Sequence, residues 1–123
     1  MNVEEWFSYL QKITDRLNSY TDCKDLIRSV GQATFQYKIT DYEDYSFAQE
    51  YDGTKVTLRR GVVPDPTVTN STALEIMKGV IAGTTNPIIA TVQGKYKVAG
   101  NMRKLMKSRG ILAYLKKAHS EII

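Results

Sequence analysis

The hydrophobic period of the chain changes at Gly31, and that change dictates a mixed fold. Before it, Val3, Trp6, Phe7, Leu10, Ile13, Leu17 and Tyr20 recur at three- and four-residue steps. Glu4, Glu5, Lys12, Asp15 and Arg16 fall between them, so the spacing predicts an amphipathic helix over 3–19. A shorter helix follows, with Asp22 as its expected N-cap, Leu26, Ile27 and Val30 on its buried side, and Gly31 as its stop. Beyond Gly31 the period is two. Phe35, Tyr37 and Ile39 alternate with Thr34, Gln36, Lys38 and Thr40, and Tyr45, Phe47, Gln49 and Tyr51 alternate with Asp44, Ser46, Ala48 and Glu50. Asp52-Gly53 is a tight-hairpin signal leading to Val56 and Leu58, which completes an antiparallel meander. Each strand keeps a polar face, so one side of the sheet is expected to meet water and the other to be covered.

The second half alternates the two periods. Thr67-Val68-Thr69 predicts a fourth strand after the Pro64 and Pro66 turn. Leu74, Ile76, Met77, Val80 and Ile81 return to helical spacing behind Thr72 and Glu75, a capping-box pair. Asn86-Pro87 opens a short helix carrying Ile88, Ile89 and Val92, because proline is preorganised for the first helical position. Lys95-Tyr96-Lys97-Val98 predicts a last strand. Asn101 caps a helix with Met102, Leu105 and Met106, and Gly110 breaks it before Ile111, Leu112 and Leu115. No linker or repeat interrupts the pattern, so one domain over 1–123 is expected.

Composition removes several function classes. No run approaches the roughly 18 apolar residues of a membrane-spanning helix, and charged residues interrupt the first twenty positions where a signal peptide would be apolar, so a cytoplasmic protein is expected. A lone Cys23 closes no intrachain disulfide, and no Cys/His spacing suggests a metal site. His119, the only histidine, lies near the end of the chain and is expected at the surface. Asp41, Glu43 and Asp44 form the densest acidic cluster, but they sit at a predicted turn without calcium-loop spacing. Nothing in this inventory supplies a nucleophile with its base, or a phosphate loop, so no enzyme activity and no cofactor is expected.

The net charge of +4 conceals a polarity: residues 1–75 hold 8 basic and 12 acidic side chains, whereas residues 76–123 hold 9 basic ones and only Glu121 as an acid. A nucleic acid is one anionic partner such a half could meet, but after Tyr51 only Tyr96 and Tyr114 could stack on bases. An anionic membrane or headgroup suits the basic half better than nucleic acid does. The same half is rich in adaptable apolar side chains broken into short helices by glycine, which suits a pocket for variable apolar shapes.

Its motifs carry a resemblance. Asp65-Pro-Thr-Val-Thr69, Ser71-Thr-Ala-Leu74, Ile76-Met-Lys-Gly79, Asn86-Pro87 and Gly94-Lys-Tyr-Lys-Val-Ala-Gly-Asn101, followed by Met102 and Leu105, resemble the sterol carrier protein type-two family in order and spacing. The resemblance implies an α/β (α+β) fold: a five-stranded, mostly antiparallel sheet covered on one face by helices and enclosing an apolar tunnel. It also implies non-catalytic binding and transfer of fatty acid, fatty acyl-CoA, phospholipid or sterol-like lipid. An alternative is a lipid-presenting module for a partner enzyme, and a more distant one is a nucleic-acid or protein adaptor. On this reading Phe35, Phe47 and Leu58 form the sheet floor and Met77, Ile81, Ile88 and Val92 the roof, with Leu105, Met106 and Leu112 near the far end. Lys95, Lys97, Arg103, Lys104 and Lys107 are expected to meet a headgroup or membrane. The link from Gly79 to Pro87 is longer than the family pattern, and the chain ends Ser-Glu-Ile-Ile123 rather than in a peroxisomal address.

Overall fold

Asn2 opens the first helix with a capping box: its Oδ1 accepts from the Glu5 N–H at 2.8 Å, and its own N–H donates to Glu5 Oε1 at 3.0 Å. In the computed structural model, which describes residues 1–123, that helix, α1, spans Val3–Ser19 and buries Trp6, Phe7, Leu10, Ile13 and Leu17. Helix α2 (Thr21–Val30) begins one residue before Asp22, with Tyr20 at its N-cap and no side-chain bond there. The Tyr20 N–H is already bonded to Arg16 O, so α1 runs straight into α2 and Asp22 serves only as a first-turn anion.

Strands β1 (Gln32–Ile39), β2 (Phe47–Asp52), β3 (Val56–Arg60), β4 (Val68–Thr72) and β5 (Tyr96–Gly100) form one sheet in the order β3-β2-β1-β4-β5. All neighbours are antiparallel except the central β1–β4 pair, which is parallel. The β2–β3 turn is built as its sequence predicts: Asp52 Oδ1 accepts from the Thr54 and Lys55 N–H groups at 2.8 Å, and Gly53 takes φ +88°. Those donated N–H groups hold the Asp52 carboxyl below the usual carboxylate range. Gly100 has a separate reason to be glycine. Its φ is +118° and a Cβ there would collide with the Thr67 carbonyl, so β5 could not close onto β4.

The remaining helices are α3 (Leu74–Ala82), α4 (Pro87–Val92), α5 (Met102–Lys107) and α6 (Ile111–Ile122), and they cover the same face of the sheet as α1. Asn86 and Asn101 cap α4 and α5 through side-chain bonds to Ile88 and Lys104 N–H, as the spacing predicts. The capping box expected at Thr72 and Glu75 does not form. Thr72 belongs to β4 and its hydroxyl donates to Lys95 O at 2.7 Å, while Asp41 reaches across from the β1–β2 connection to accept the Leu74 N–H at 2.9 Å. The acidic turn is therefore in part a helix cap supplied from a distant segment. No helix is long and apolar enough to cross a membrane.

The outer face of the sheet is not left wholly to water. Gln36 is fully buried there: its Nε2 donates to Phe47 O at 2.9 Å and Gly61 O at 3.0 Å, and its Oε1 accepts from Val63 N–H at 2.7 Å. One side chain thus pins the β3–β4 loop over the central strands. Gln36→Leu strands three backbone groups, and an unpaired buried group costs about 1–3 kcal/mol. The expected result is a loss of about 2 kcal/mol in urea unfolding, with an unchanged midpoint contradicting this role.

Candidate functional site

Alternation along the strands decides which side chains face the helices. Paired residues share a face, so the registers Tyr37 with Phe47, Tyr37 with Asn70, Gln49 with Leu58, Asn70 with Val98 and Thr72 with Tyr96 set one continuous inner surface. Between that surface and α1, α3, α4, α5 and α6 lies a cavity of about 520 Å³, within the range of roughly 300–1,000 Å³ usual for small-molecule sites. Phe47, Leu58, Tyr96 and Val98 floor it, and Leu10 and Ile13 of α1 with Met77, Val80 and Ile81 of α3 wall it. Ile88 and Val92 of α4, Leu105 and Met106 of α5 and Leu112 of α6 also line it.

Of the apolar side chains expected around a lipid, only Phe35 lies outside this lining. It is on the correct face, but nearer the start of β1, where its ring meets Tyr51 edge-on at 5.1 Å and both are buried in solid core beside α2. Sequence alternation identifies the face, whereas the helix lying over each position decides whether a residue borders space or packing. The α1 contributions and Tyr96 were not anticipated.

The mouth can be placed from the lining residues that remain open. Ile88, Val92, Met102 and Met106 are exposed, Val92 to 84%, so the cavity opens between the two shortest helices, α4 and α5. The long link before α4 folds back rather than spreading: the Thr84 and Thr85 N–H groups both bond Gly79 O, and a Cβ on Gly79 would strike Thr85.

The basic residues divide. Lys95, between α4 and β5, and Arg103 and Lys107 of α5 are exposed. Lys97 is not with them: it pairs with Ser71, one step out of phase with Tyr96 and Val98, and so projects from the outer face of the sheet. Lys104 is also otherwise engaged, because its Nζ donates to Val30 O at the end of α2, where a cation meets the negative end of the helix. Arg109 takes a place that was not assigned to it, as the one charged residue in the cavity lining, with Nη1 3.7 Å from Met106 Sδ.

Polar side chains interrupt the apolar lining. Tyr96 donates to Asn70 Oδ1 at 3.0 Å, and Asn70 Nδ2 donates to Gln36 O at 3.4 Å. Tyr37 stacks on Phe47 at 4.8 Å and sets its hydroxyl 3.5 Å from Gln49 Oε1. Burial pushes the Tyr37 and Tyr96 phenols well above their ordinary value, so both remain protonated donors. Elsewhere, Cys23 is wholly buried and its thiol is pushed up to about 11 by burial, which makes it inert. His119 is not a loose surface residue: α6 continues past it, and its Nδ1 lies 2.7 Å from the Tyr9 hydroxyl in a half-buried contact. No group of acidic, His and Cys side chains is arranged to hold a metal.

The sequence profile of the SCP-2 sterol transfer family matches residues 10–113. The chain belongs to that family. Solved structures agree at the level of fold. Sterol carrier protein domain 2 of Helicoverpa armigera is 23% identical with a TM-score of 0.74, covering 90% of this chain and 87% of its own. A UbiJ SCP2 protein, titled a ubiquinone synthesis protein, is 10% identical with a TM-score of 0.66, covering 90% and 88%. Sterol carrier protein 2 of Yarrowia lipolytica, in its apo form, is 22% identical with a TM-score of 0.59, covering 88% and 87%. None of the curated proteins compared with the sequence matches it. Family membership accounts for the sheet order and for helices gathered on one face.

Proposed function

We propose that this chain is a non-catalytic lipid carrier that holds a fatty acid, fatty acyl-CoA, phospholipid or sterol-like molecule in the cavity between sheet and helices and passes it to membranes. The observation that carries the reading is the cavity itself, about 520 Å³ lined mostly by apolar side chains and opening between α4 and α5. Each methylene buried there is worth roughly 0.8 kcal/mol, so a long acyl chain offers of order 10 kcal/mol before the costs of ordering it. That supports micromolar or tighter binding.

The mouth suits delivery to an anionic surface. Exposed Ile88, Ile89, Val92, Met102 and Met106 can enter the headgroup region while Lys95, Arg103, Lys107 and Arg109 meet phosphates. A near-surface cation contributes about 1 kcal/mol at an anionic membrane. Combined Arg103→Gln and Lys107→Gln is therefore expected to weaken binding to phosphatidylserine-containing vesicles roughly 30-fold at low salt. Unchanged partitioning in a vesicle flotation assay would remove membrane contact from the proposal.

The carrier reading itself is tested by native mass spectrometry of the protein as purified from cells, together with titration of a fluorescent fatty acid. Co-purified lipid and a blue-shifted, saturable emission are expected. A folded protein that carries nothing and binds no acyl probe rejects it. A second reading, presentation of lipid to a partner enzyme, is favoured by the likeness in fold to the UbiJ SCP2 ubiquinone synthesis protein. Quantified co-purification of one enzyme in a pull-down from its own cells separates the two.

A further inference from the structure

An apolar cavity that only had to accept hydrocarbon would leave no hydrogen-bonding group exposed on its walls, because an unpaired polar group in a dry site is unfavourable. Most polar side chains bordering this cavity obey that rule. Thr14 donates to Leu10 O at 2.9 Å, Thr91 to Pro87 O at 2.7 Å and Ser108 to Leu105 O at 2.8 Å. Tyr96 and Asn70 satisfy one another at 3.0 Å.

Tyr37 and Gln49 do not. Gln49 is 4% exposed and faces the cavity from β2; its Nε2 donates to no protein group and is open to the cavity, since no enclosed side-chain nitrogen or oxygen is left unpaired, and its Oε1 receives only the Tyr37 hydroxyl at 3.5 Å. That separation is beyond an ordinary O–H···O bond, so the hydroxyl is also free to turn. Two neutral donors therefore sit side by side on the central strands β1 and β2, at the floor, with the apolar lining around them. No cation accompanies them, since Arg109, the only charged residue of the lining, stands at the exposed rim.

We infer that Tyr37 and Gln49 form a recognition site for a neutral carbonyl oxygen, so that the preferred ligand is an uncharged lipid bearing an ester or ketone-type carbonyl, held with that group against the sheet. The inference rests on the lipid-cavity reading and sharpens it. A carbonyl oxygen has two lone pairs and can accept from the Tyr37 hydroxyl and the Gln49 amide together. An ionised carboxylate fits less well, because its desolvation at this depth has no cation to offset it. Hydrocarbon alone leaves both donors unpaired.

The experiment compares methyl laurate with dodecyl chloride, whose chain has as many carbons as the lauroyl group but no carbonyl, as competitors of a fluorescent fatty acid bound to the full chain. Tyr37→Phe combined with Gln49→Leu is expected to weaken methyl laurate about tenfold relative to dodecyl chloride. Infrared spectroscopy of methyl laurate bound to the unmodified protein is expected to show its carbonyl stretch below the frequency in an alkane solvent, a readout that requires no variant. An unshifted stretch, or a variant that weakens both competitors equally, overturns the carbonyl site and leaves the cavity reading standing. Failure of both competitors to displace the probe from the unmodified protein overturns the cavity reading and this inference together.

Discussion

Leu112→Trp is expected to weaken binding of a fluorescent long-chain fatty acid by about 15-fold while leaving the protein folded. Leu112 is half-buried on α6 and borders the cavity, so an indole at that position has empty space to enter rather than packed neighbours to displace. Net of the leucine it replaces, it takes up room for about two methylenes of an acyl chain, and two at about 0.8 kcal/mol each correspond to that factor. The unfolding midpoint should stay near the unmodified value, because the substitution buries additional apolar surface. A folded variant that binds the probe with unchanged affinity would show that the ligand does not occupy this cavity.

Trp6→Ala is expected to produce the largest loss of stability of any single substitution considered, about 3–5 kcal/mol. Trp6 is fully buried on α1, with its ring against Tyr9, Tyr45 and Phe47 and its Nε1 donating to Tyr45 O at 2.9 Å. Domains of this size have a total stability of about 5–15 kcal/mol, so the variant should lose a large share of its stability and unfold at a much lower urea concentration. Trp6→Phe keeps most of the packing and loses the indole bond, and about 1–2 kcal/mol is expected. Urea unfolding followed by far-ultraviolet circular dichroism measures both. Because Phe47 is one of the rings packed on Trp6 and also part of the cavity floor, the alanine variant should lose ligand affinity before it loses all structure.

The elements of this chain were legible because each announces itself over a short range. The helical stripe from Val3 to Tyr20, the Asp52-Gly53 turn and the Asn86-Pro87 and Asn101 caps are all local physics, and the structure uses each of them. What failed to show was action at a distance. Asp41 looks like a solvated turn residue until α3 is placed beside it, and Thr72 looks like a cap until β4 claims it. Lys104 belongs to a basic run in the sequence, yet α5 lies against α2 and its ammonium is spent on Val30.

The cavity was partly legible for the same reason. Helical and strand periods separate inner from outer faces, which is sufficient to find Met77, Ile81, Leu105 and Leu112, but periodicity does not distinguish a residue beside empty space from one beside another side chain, hence Phe35. The sequence does carry one signal of the polar floor. Gln49 stands between Phe47 and Tyr51 on the inward phase of β2, and Asn70 stands between Val68 and Thr72 on that of β4. A polar amide at an inward position is costly unless paired, so its presence marks either a network or a binding group. Asn70 belongs to the first kind, with Gln36 and Tyr96, and Gln49 is the residue we propose for the second.

One further consequence concerns the sheet's β3 border, where α1 runs alongside. An open strand edge is a template onto which another molecule can add its own backbone. Here the Asn18 side chain behaves as a fragment of a sixth strand: its Nδ2 donates to Val56 O and its Oδ1 accepts from Val56 N–H, each at 2.8 Å. A carboxamide has the same donor and acceptor as a peptide unit, so it fills the ladder position that an intruding chain would need. The Asn18 amide thereby closes that position of the β3 border to backbone addition by a second molecule.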